Sequence, residues 1–202
     1  SAHREMLGVV GSSSQTAGNA LNSGTGIDAL SRVPLARWCL DASDDSQPQA
    51  RFGSFVADAD MFDSELFNVS YNEGVLMDPQ QRMLLEAAWE AKAGRGQSSY
   101  TRNRLSPMEA KAGLQDCSAE RSGVTVGISG NEYARLADTV SVYTATGGAL
   151  SVACGRMSYT FGMQGVCLSV DTACSSSLVG SHIAINSILS GESDSITACG
   201  VN

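Results

Sequence analysis

The chain has 202 residues, of which 43% are hydrophobic and 17% are charged, and its formal net charge is −8. This length and apolar fraction predict one globular domain with a core of its own. The acidic balance argues against binding to nucleic acid or to an anionic membrane surface, and no apolar run reaches the length of a membrane-spanning helix.

The first third of the chain is predicted to consist mainly of loops. A short strand is expected at residues 7–11, followed by a Ser/Gly/Asn-rich loop at 12–26 and a polar loop at 41–50. Four aromatic residues in this region are interpreted as packing residues rather than as a binding box: Phe52, Phe55, Phe62 and Phe67.

The clearest helix is predicted over residues 77–94. Asp78 is expected to be its N-cap and Pro79 its first residue, with Gln81 completing a capping box. Its apolar stripe is expected to comprise Leu84, Ala87, Ala88 and Ala91, with Trp89 on the flank and Gly94 at the end. The polar residues 95–122 that follow are predicted to form an exposed insertion.

The rest of the chain alternates between predicted strands and helices. We expect a buried strand at 123–129, a helix at 146–162, a buried strand at 165–170, a helix at 175–190 and a final strand at 195–202. The apolar spacing of the helix at 175–190 predicts that Leu178, Ile185 and Leu189 share one face. This alternation predicts a layered α/β fold.

Cys174 lies between the strand and the helix of the segment VDTACSSSL, residues 170–178. With Thr172 or Asp171 as N-cap, it falls in the first helical turn, where unpaired N–H groups and the helix dipole stabilise a thiolate nucleophile. The alternative is a small buried cysteine that packs like alanine. The six cysteines have neither CxxC pairing nor histidines at metal-binding spacing, so we expect free thiols and no metal site.

Several longer segments resemble one family. They are VPLARW and FGSFVADADMFDSELFNVS near the start, then GVLMDPQQRMLLEAAWEA, YTATGGALSVACGRMSYTFGMQG, VCLSVDTACSSSLVGSHIA and the closing GVN. In this order they resemble the β-ketoacyl synthase (ketosynthase) domain of type I polyketide and fatty acid synthases. The likeness covers most of the chain, and the motif around Cys174 is long and specific.

The resemblance implies the N-terminal half of a thiolase-like fold, a layered α-β-α-β-α sandwich of two similar halves. Cys174 would accept an acyl group as a thioester from the phosphopantetheine arm of an acyl carrier protein. A malonyl-type carrier would then decarboxylate and attack that thioester. The segment with Thr144, Ala145, Thr146 and Gly147 corresponds to the acyl pocket near the interface of a homodimer. No bound cofactor is implied.

The chain departs from the family pattern in its histidines. The two that assist decarboxylation in the family would follow residue 202, as would a glycine-rich oxyanion loop. The histidines present are His3 and His182, and His182 lies about two helical turns after Cys174, so we interpret it as structural. We therefore expect a half-domain that needs its C-terminal half and does not condense alone.

Three functions remain open at this stage. The first is a condensing enzyme, and the second is a non-catalytic relative resembling a chain-length factor, or a degenerate half-domain. Such relatives usually replace the cysteine, so Cys174 favours the first. The third is an unrelated cysteine hydrolase, which would need a histidine base that is not placed for it. Without a signal peptide, the expected location is the cytoplasm, with a plastid as the alternative.

Overall fold

The computed structural model describes residues 30–34, 51–56, 59–93, 121–130, 132–133 and 141–202. The chain divides into two compact units, Ser14–Met61 and a larger one formed by Ser1–Ser13 with Phe62–Asn202. In the smaller unit, strand β1 (Ser31–Arg32) pairs antiparallel with strand β2 (Phe52–Gly53). The strand predicted at 7–11 and the loops predicted at 12–26 and 41–50 lie outside the described residues.

The larger unit is a parallel sheet with helices between its strands. Its described elements are α1 (Tyr71–Leu76), α2 (Pro79–Ala93), β3 (Ser122–Ile128), α3 (Val142–Gly148), α4 (Leu150–Thr160), β4 (Cys167–Val170), α5 (Ser176–Leu189) and β5 (Ser195–Val201). The sheet order is β4-β3-β5, and β3 is parallel to both neighbours. The predicted α/β alternation is therefore confirmed, although the helix predicted at 146–162 is two helices, α3 and α4, separated at Ala149.

The core lies between the central strand and the helices α2 and α4. Every residue of β3 is buried, and the other core residues include Leu84, Leu85, Ala88 and Trp89 of α2 and Met157 of α4. Trp89 is thus a core residue and not a flanking one, while Ala87 and Ala91 are only partly buried. Among the predicted packing aromatics, Phe62 and Phe67 stack with their ring centroids 5.3 Å apart, whereas Phe52 is exposed.

Helix α5 packs on the sheet through its small residues, and the predicted apolar residues share the opposite face. Its buried residues are Ser176, Gly180, Ala184 and Ser187, and Thr125 Oγ1 of β3 donates a hydrogen bond to the Gly180 carbonyl at 3.1 Å. The predicted apolar face points outward, since Leu178 is 74% exposed and Leu189 68% exposed. The close approach of α5 to β3 explains this, because only small side chains fit between the two backbones.

Two further predictions, one on burial and one on a boundary, differ from the structure. Strand β4 was predicted to be buried, but Cys167 and Leu168 are exposed because β4 is an edge strand of the sheet. The insertion predicted at 95–122 ends earlier, since Ser122 is the buried first residue of β3. Residues 95–120 lie outside the described part of the chain.

Asp78 caps α2 as predicted, but the capping box does not form. The Gln80 N–H donates to Asp78 Oδ1 at 2.8 Å, while the Asp78 N–H donates to the Gly147 carbonyl at 3.0 Å instead of to Gln81. Burial raises the pKa of the Asp78 carboxyl above its ordinary value of 3.8, and the Gln80 N–H and Arg82 oppose this only in part.

We expect Asp78→Ala to lower the free energy of unfolding by about 1 kcal/mol, because α2 loses its N-cap acceptor. Asp78→Asn is the matched control: it keeps an acceptor and removes the buried charge, so it should cost less. Chemical denaturation at pH 7 measures both. Equal stability of the alanine variant and the wild type would contradict the capping role.

The same carboxyl should make the stability depend on pH. Because folding raises its pKa, the folded state binds the proton more tightly, so this contribution is fully present below about pH 3.8. It is lost as the pH rises through the raised pKa. Unfolding measured across acid pH should therefore show this component in the wild type and not in Asp78→Asn.

Candidate active site

Cys174 lies on a tight turn between β4 and α5. The N-cap of α5 is Ser175, and Ala173 adopts a left-handed backbone conformation with φ 55°. Cys174 therefore lies one residue before the N-cap and outside the first helical turn, because the helix is capped three or four residues later than predicted. The predicted caps, Asp171 and Thr172, bond within the turn instead.

Short polar side chains hold this turn in place. Asp171 Oδ1 accepts from the Ala173 N–H at 3.0 Å. Ser176 Oγ accepts from the Thr172 N–H at 2.8 Å and donates to the Ala173 carbonyl at 2.6 Å. Ser175 Oγ donates to the Thr172 carbonyl at 2.8 Å. The hydroxyls of Ser175 and Ser176 are thus bonded to the backbone. The Cys174 thiol is not in a disulfide and is exposed.

The start of α5 rests directly on two neighbouring strands. A Cβ atom at Gly127 of β3 would collide with the Ser177 backbone nitrogen, and one at Gly200 of β5 would lie 2.5 Å from Ser177 Cβ. These two glycines pair with each other in the sheet. The turn is thereby fixed at the carboxyl ends of parallel strands, which is the usual ligand-binding edge of such sheets.

An open depression surrounds Cys174. It is lined by Gly127, Ser129, Ala173, Cys174, Ser176, Ser177, Gly200, Val201 and Asn202. Within this lining, Ser129 Oγ donates to Asn202 Oδ1 at 3.1 Å. Gly127 and Ser129 were not predicted as site residues. The signal for them was the repeated pattern Gly-Ile-Ser at 127–129 and Gly-Val-Asn at 200–202, which ends two paired strands.

The residues predicted to bind substrate lie on α3 and are not among those lining the depression. Thr144 Oγ1 accepts from the Ser141 N–H at 3.0 Å as part of a capping box. Ala145 and Thr146 are exposed, whereas Gly147 is buried against the backbone of Leu76. A role for these four residues in substrate binding stays a prediction.

The other cysteines and the histidine of the described residues have surroundings unlike those of Cys174. Partial burial raises the pKa of the Cys167 thiol to about 11, aided by the adjacent Cys154, and burial raises the pKa of Cys199 to about 11. His182 is exposed and shares a 2.9 Å hydrogen bond with Asn186. The described residues contain no cluster of three metal-binding side chains and no helix long and apolar enough to span a membrane.

Comparison with known proteins identifies the family of the chain. Residues 10–202 match the family described as Beta-ketoacyl synthase, N-terminal domain. The chain belongs to this family. It is 42% identical over 178 residues to the spectinabilin polyketide synthase system protein NorC of Streptomyces orinoci, covering 83% of the chain and 7% of that protein. It is 39% identical to a phenolphthiocerol/phthiocerol polyketide synthase protein of Mycobacterium tuberculosis, covering 87% of the chain and 9% of that protein.

Solved ketosynthases share the fold. A ketosynthase from module 6 of the bacillaene synthase of Bacillus subtilis 168 is similar over 92% of this chain and 30% of that one, with a TM-score of 0.70 and 26% identity. The oxazolomycin ketosynthase domain OzmH KS7 of Streptomyces albus JA3453 has a TM-score of 0.66 and 28% identity, over 88% of this chain and 30% of that one. These likenesses confirm the thiolase-like α/β fold of ketosynthases, and the part covered is its N-terminal portion.

We expect limiting iodoacetamide at pH 8 to alkylate Cys174 before the other described cysteines, with adducts mapped by mass spectrometry. Cys167 is the matched comparison, because it is also exposed but keeps its proton at this pH. Its labelling should rise only as the pH approaches about 11. Faster labelling of Cys167, Cys199, or Cys39 or Cys117 outside the described residues would contradict the assignment of Cys174 as the reactive thiol.

Proposed function

We propose that this ketosynthase-family chain carries the acyl-accepting half of a condensing site, with Cys174 as its nucleophile. The observation that carries the proposal is the placement of an exposed thiol on a hydrogen-bonded strand-to-helix turn, at the carboxyl ends of parallel strands. A side chain projected in this way is reachable by a long, flexible acyl donor such as the phosphopantetheine arm of an acyl carrier protein.

Loading is a transthioesterification. The Cys174 thiolate attacks the thioester carbonyl, a new sulfur–carbon bond forms, and the tetrahedral intermediate expels the pantetheine thiolate, which takes up a proton. The N–H groups of Thr172 and Ala173 already donate within the turn. The proposed donor to the oxyanion is therefore the backbone N–H of Cys174, and such a donor contributes roughly 3 kcal/mol. The step as written draws on no metal or cofactor.

Condensation needs groups that these 202 residues do not supply. A malonyl thioester must lose CO₂ to give an enolate, which attacks the acyl-Cys174 carbonyl and releases the thiolate. We assign the histidines that would assist this step to a C-terminal half of the domain. The outward face of α5, with Leu178, Ile185 and Leu189, supports such a partner, because that face leaves a large apolar area to be covered.

The second candidate is a ketosynthase-like half-domain without catalysis. The retained thiol of Cys174 and the open depression around it favour the catalytic interpretation. We further propose that α3, through Thr144, Ala145, Thr146 and Gly147, lines the acyl pocket, and that the protein acts in the cytoplasm or in a plastid.

A polypeptide limited to residues 1–202 should load an acyl group but should not form ketide product. Offered an acyl-pantetheine thioester, the wild type should gain one acyl mass on Cys174, and Cys174→Ala should gain none. Addition of a malonyl donor should give no product, since the lost acid–base assistance alone is worth about 10²–10⁴-fold in rate. Product at normal ketosynthase rates would overturn the need for a second half.

Strand β4 supports a second proposal, that the protein is a homodimer paired through this strand. β4 is an edge of the described sheet and Leu168 is exposed on it, and such an edge invites pairing with another strand. A two-fold axis beside β4 would pair it with its own copy.

We expect Leu168→Lys to weaken the dimer, because it places two like charges near the two-fold axis. Val75→Lys is the control, since Val75 is an exposed apolar residue on α1, away from β4. Light scattering at micromolar concentration measures both. A monomeric wild type, or equal dimer content in the two variants, would count against pairing through β4.

A further inference from the structure

The side chain of Gln81, a residue of α2, forms hydrogen bonds with the C-terminal end of α3. Its side chain is buried, with 2% of the residue exposed. Its Nε2 lies 3.2 Å from the carbonyl oxygen of Thr146, 2.9 Å from that of Gly147 and 3.3 Å from that of Ala149. The last carbonyls of any helix lack intrahelical partners, and the two hydrogens of this amide are shared among the carbonyls at the C-terminal end of α3.

A second contact fixes the orientation of that amide. Arg156 Nε of α4 donates to Gln81 Oε1 at 2.8 Å, and Arg156 Nη1 donates to Glu73 Oε1 of α1 at 2.5 Å. The Arg156 and Glu73 side chains are only 10% and 25% exposed. Because a guanidinium is a donor only, it must face the amide oxygen, and the amide nitrogen must then face the three carbonyls.

The remaining contacts of this helix end leave it little freedom. The Asp78 N–H also donates to the Gly147 carbonyl, and a Cβ at Gly147 would collide with the Leu76 carbonyl oxygen. Helix α3 has only seven residues, too few to be stable by itself in water. The position of α3 therefore depends on the groups bonded to its C-terminal end, the Gln81 amide and the Asp78 N–H.

We propose that Gln81 is a positioning residue that sets the acyl-chain preference of the site by fixing α3, whose exposed residues Ala145 and Thr146 meet the acyl group. This rests on the proposed function, in which α3 lines the acyl pocket. Arg156 and Glu73 act through Gln81, and none of the three touches the reacting atoms.

The experiment compares loading of Cys174 by acetyl and octanoyl pantetheine thioesters, with the maximal rate and the half-saturating concentration measured for each donor. Gln81→Glu keeps an acceptor for Arg156 and replaces the amide donors with an oxygen that repels the three carbonyls. The half-saturating concentration should rise about tenfold for octanoyl and change less than about twofold for acetyl, with both maximal rates retained. A merely structural role would affect both donors alike.

The neighbouring substitution Gln80→Glu is the matched control, because Gln80 Nε2 donates to the Gly130 carbonyl and not to α3. Its donor preference should equal that of the wild type. If Gln81→Glu fails to fold, Arg156→Lys decides, since it keeps the cation beside Glu73 but removes the Nε donor; it should shift the preference in the same direction. An unchanged preference in folded variants overturns the inference alone, whereas a wild type that never loads Cys174 overturns the proposed function as well.

Discussion

The structure depends on the contact between the first turn of α5 and the ends of two parallel strands. Ser177 rests where side chains at Gly127 and Gly200 would otherwise stand, so the helix approaches the sheet backbone directly. That approach places the serine-rich turn, and Cys174 on it, at the carboxyl edge of the sheet. It also decides which face of α5 points inward, because only small residues such as Gly180 and Ala184 fit at this separation.

Two kinds of polar contact are arranged around this framework. At the turn, side chains bond to the backbone within a few residues, as Ser176 does with Thr172 and Ala173. Away from the turn, Gln81 and Arg156 connect helices that are distant in sequence, and Arg156 forms a partly buried ion pair with Glu73. Such a pair adds little net stability, since desolvation offsets much of its attraction.

The sequence predicted the features that depend on local patterns, but it did not predict those that depend on contacts between distant residues. The apolar runs of β3 and β5 and the strand-to-helix change at Cys174 are local signals, and they predicted those elements within about two residues. The N-cap of α5 was misplaced because the Thr172 N–H donates to the Ser176 hydroxyl within the turn, and the helix begins only after Ser175. At the break between α3 and α4, the Ala149 carbonyl accepts a hydrogen bond from Gln81, 68 residues away, and no local sequence pattern reveals such a contact. Periodicity also revealed that one face of α5 is apolar, but not which surface covers that face.

The parallel sheet has a consequence for the order in which the site can assemble. Ser129 and Asn202, which are hydrogen-bonded in the lining of the depression, are separated by 73 residues, and β4 and α5 lie between them in the chain. Contacts between such distant residues form slowly, because the intervening loop must close first. During synthesis from the N-terminus, Cys174 therefore emerges before the strand that completes its surroundings. The Cys174 thiol is therefore accessible during synthesis before β5 has folded beside it, and so before the site around it is complete.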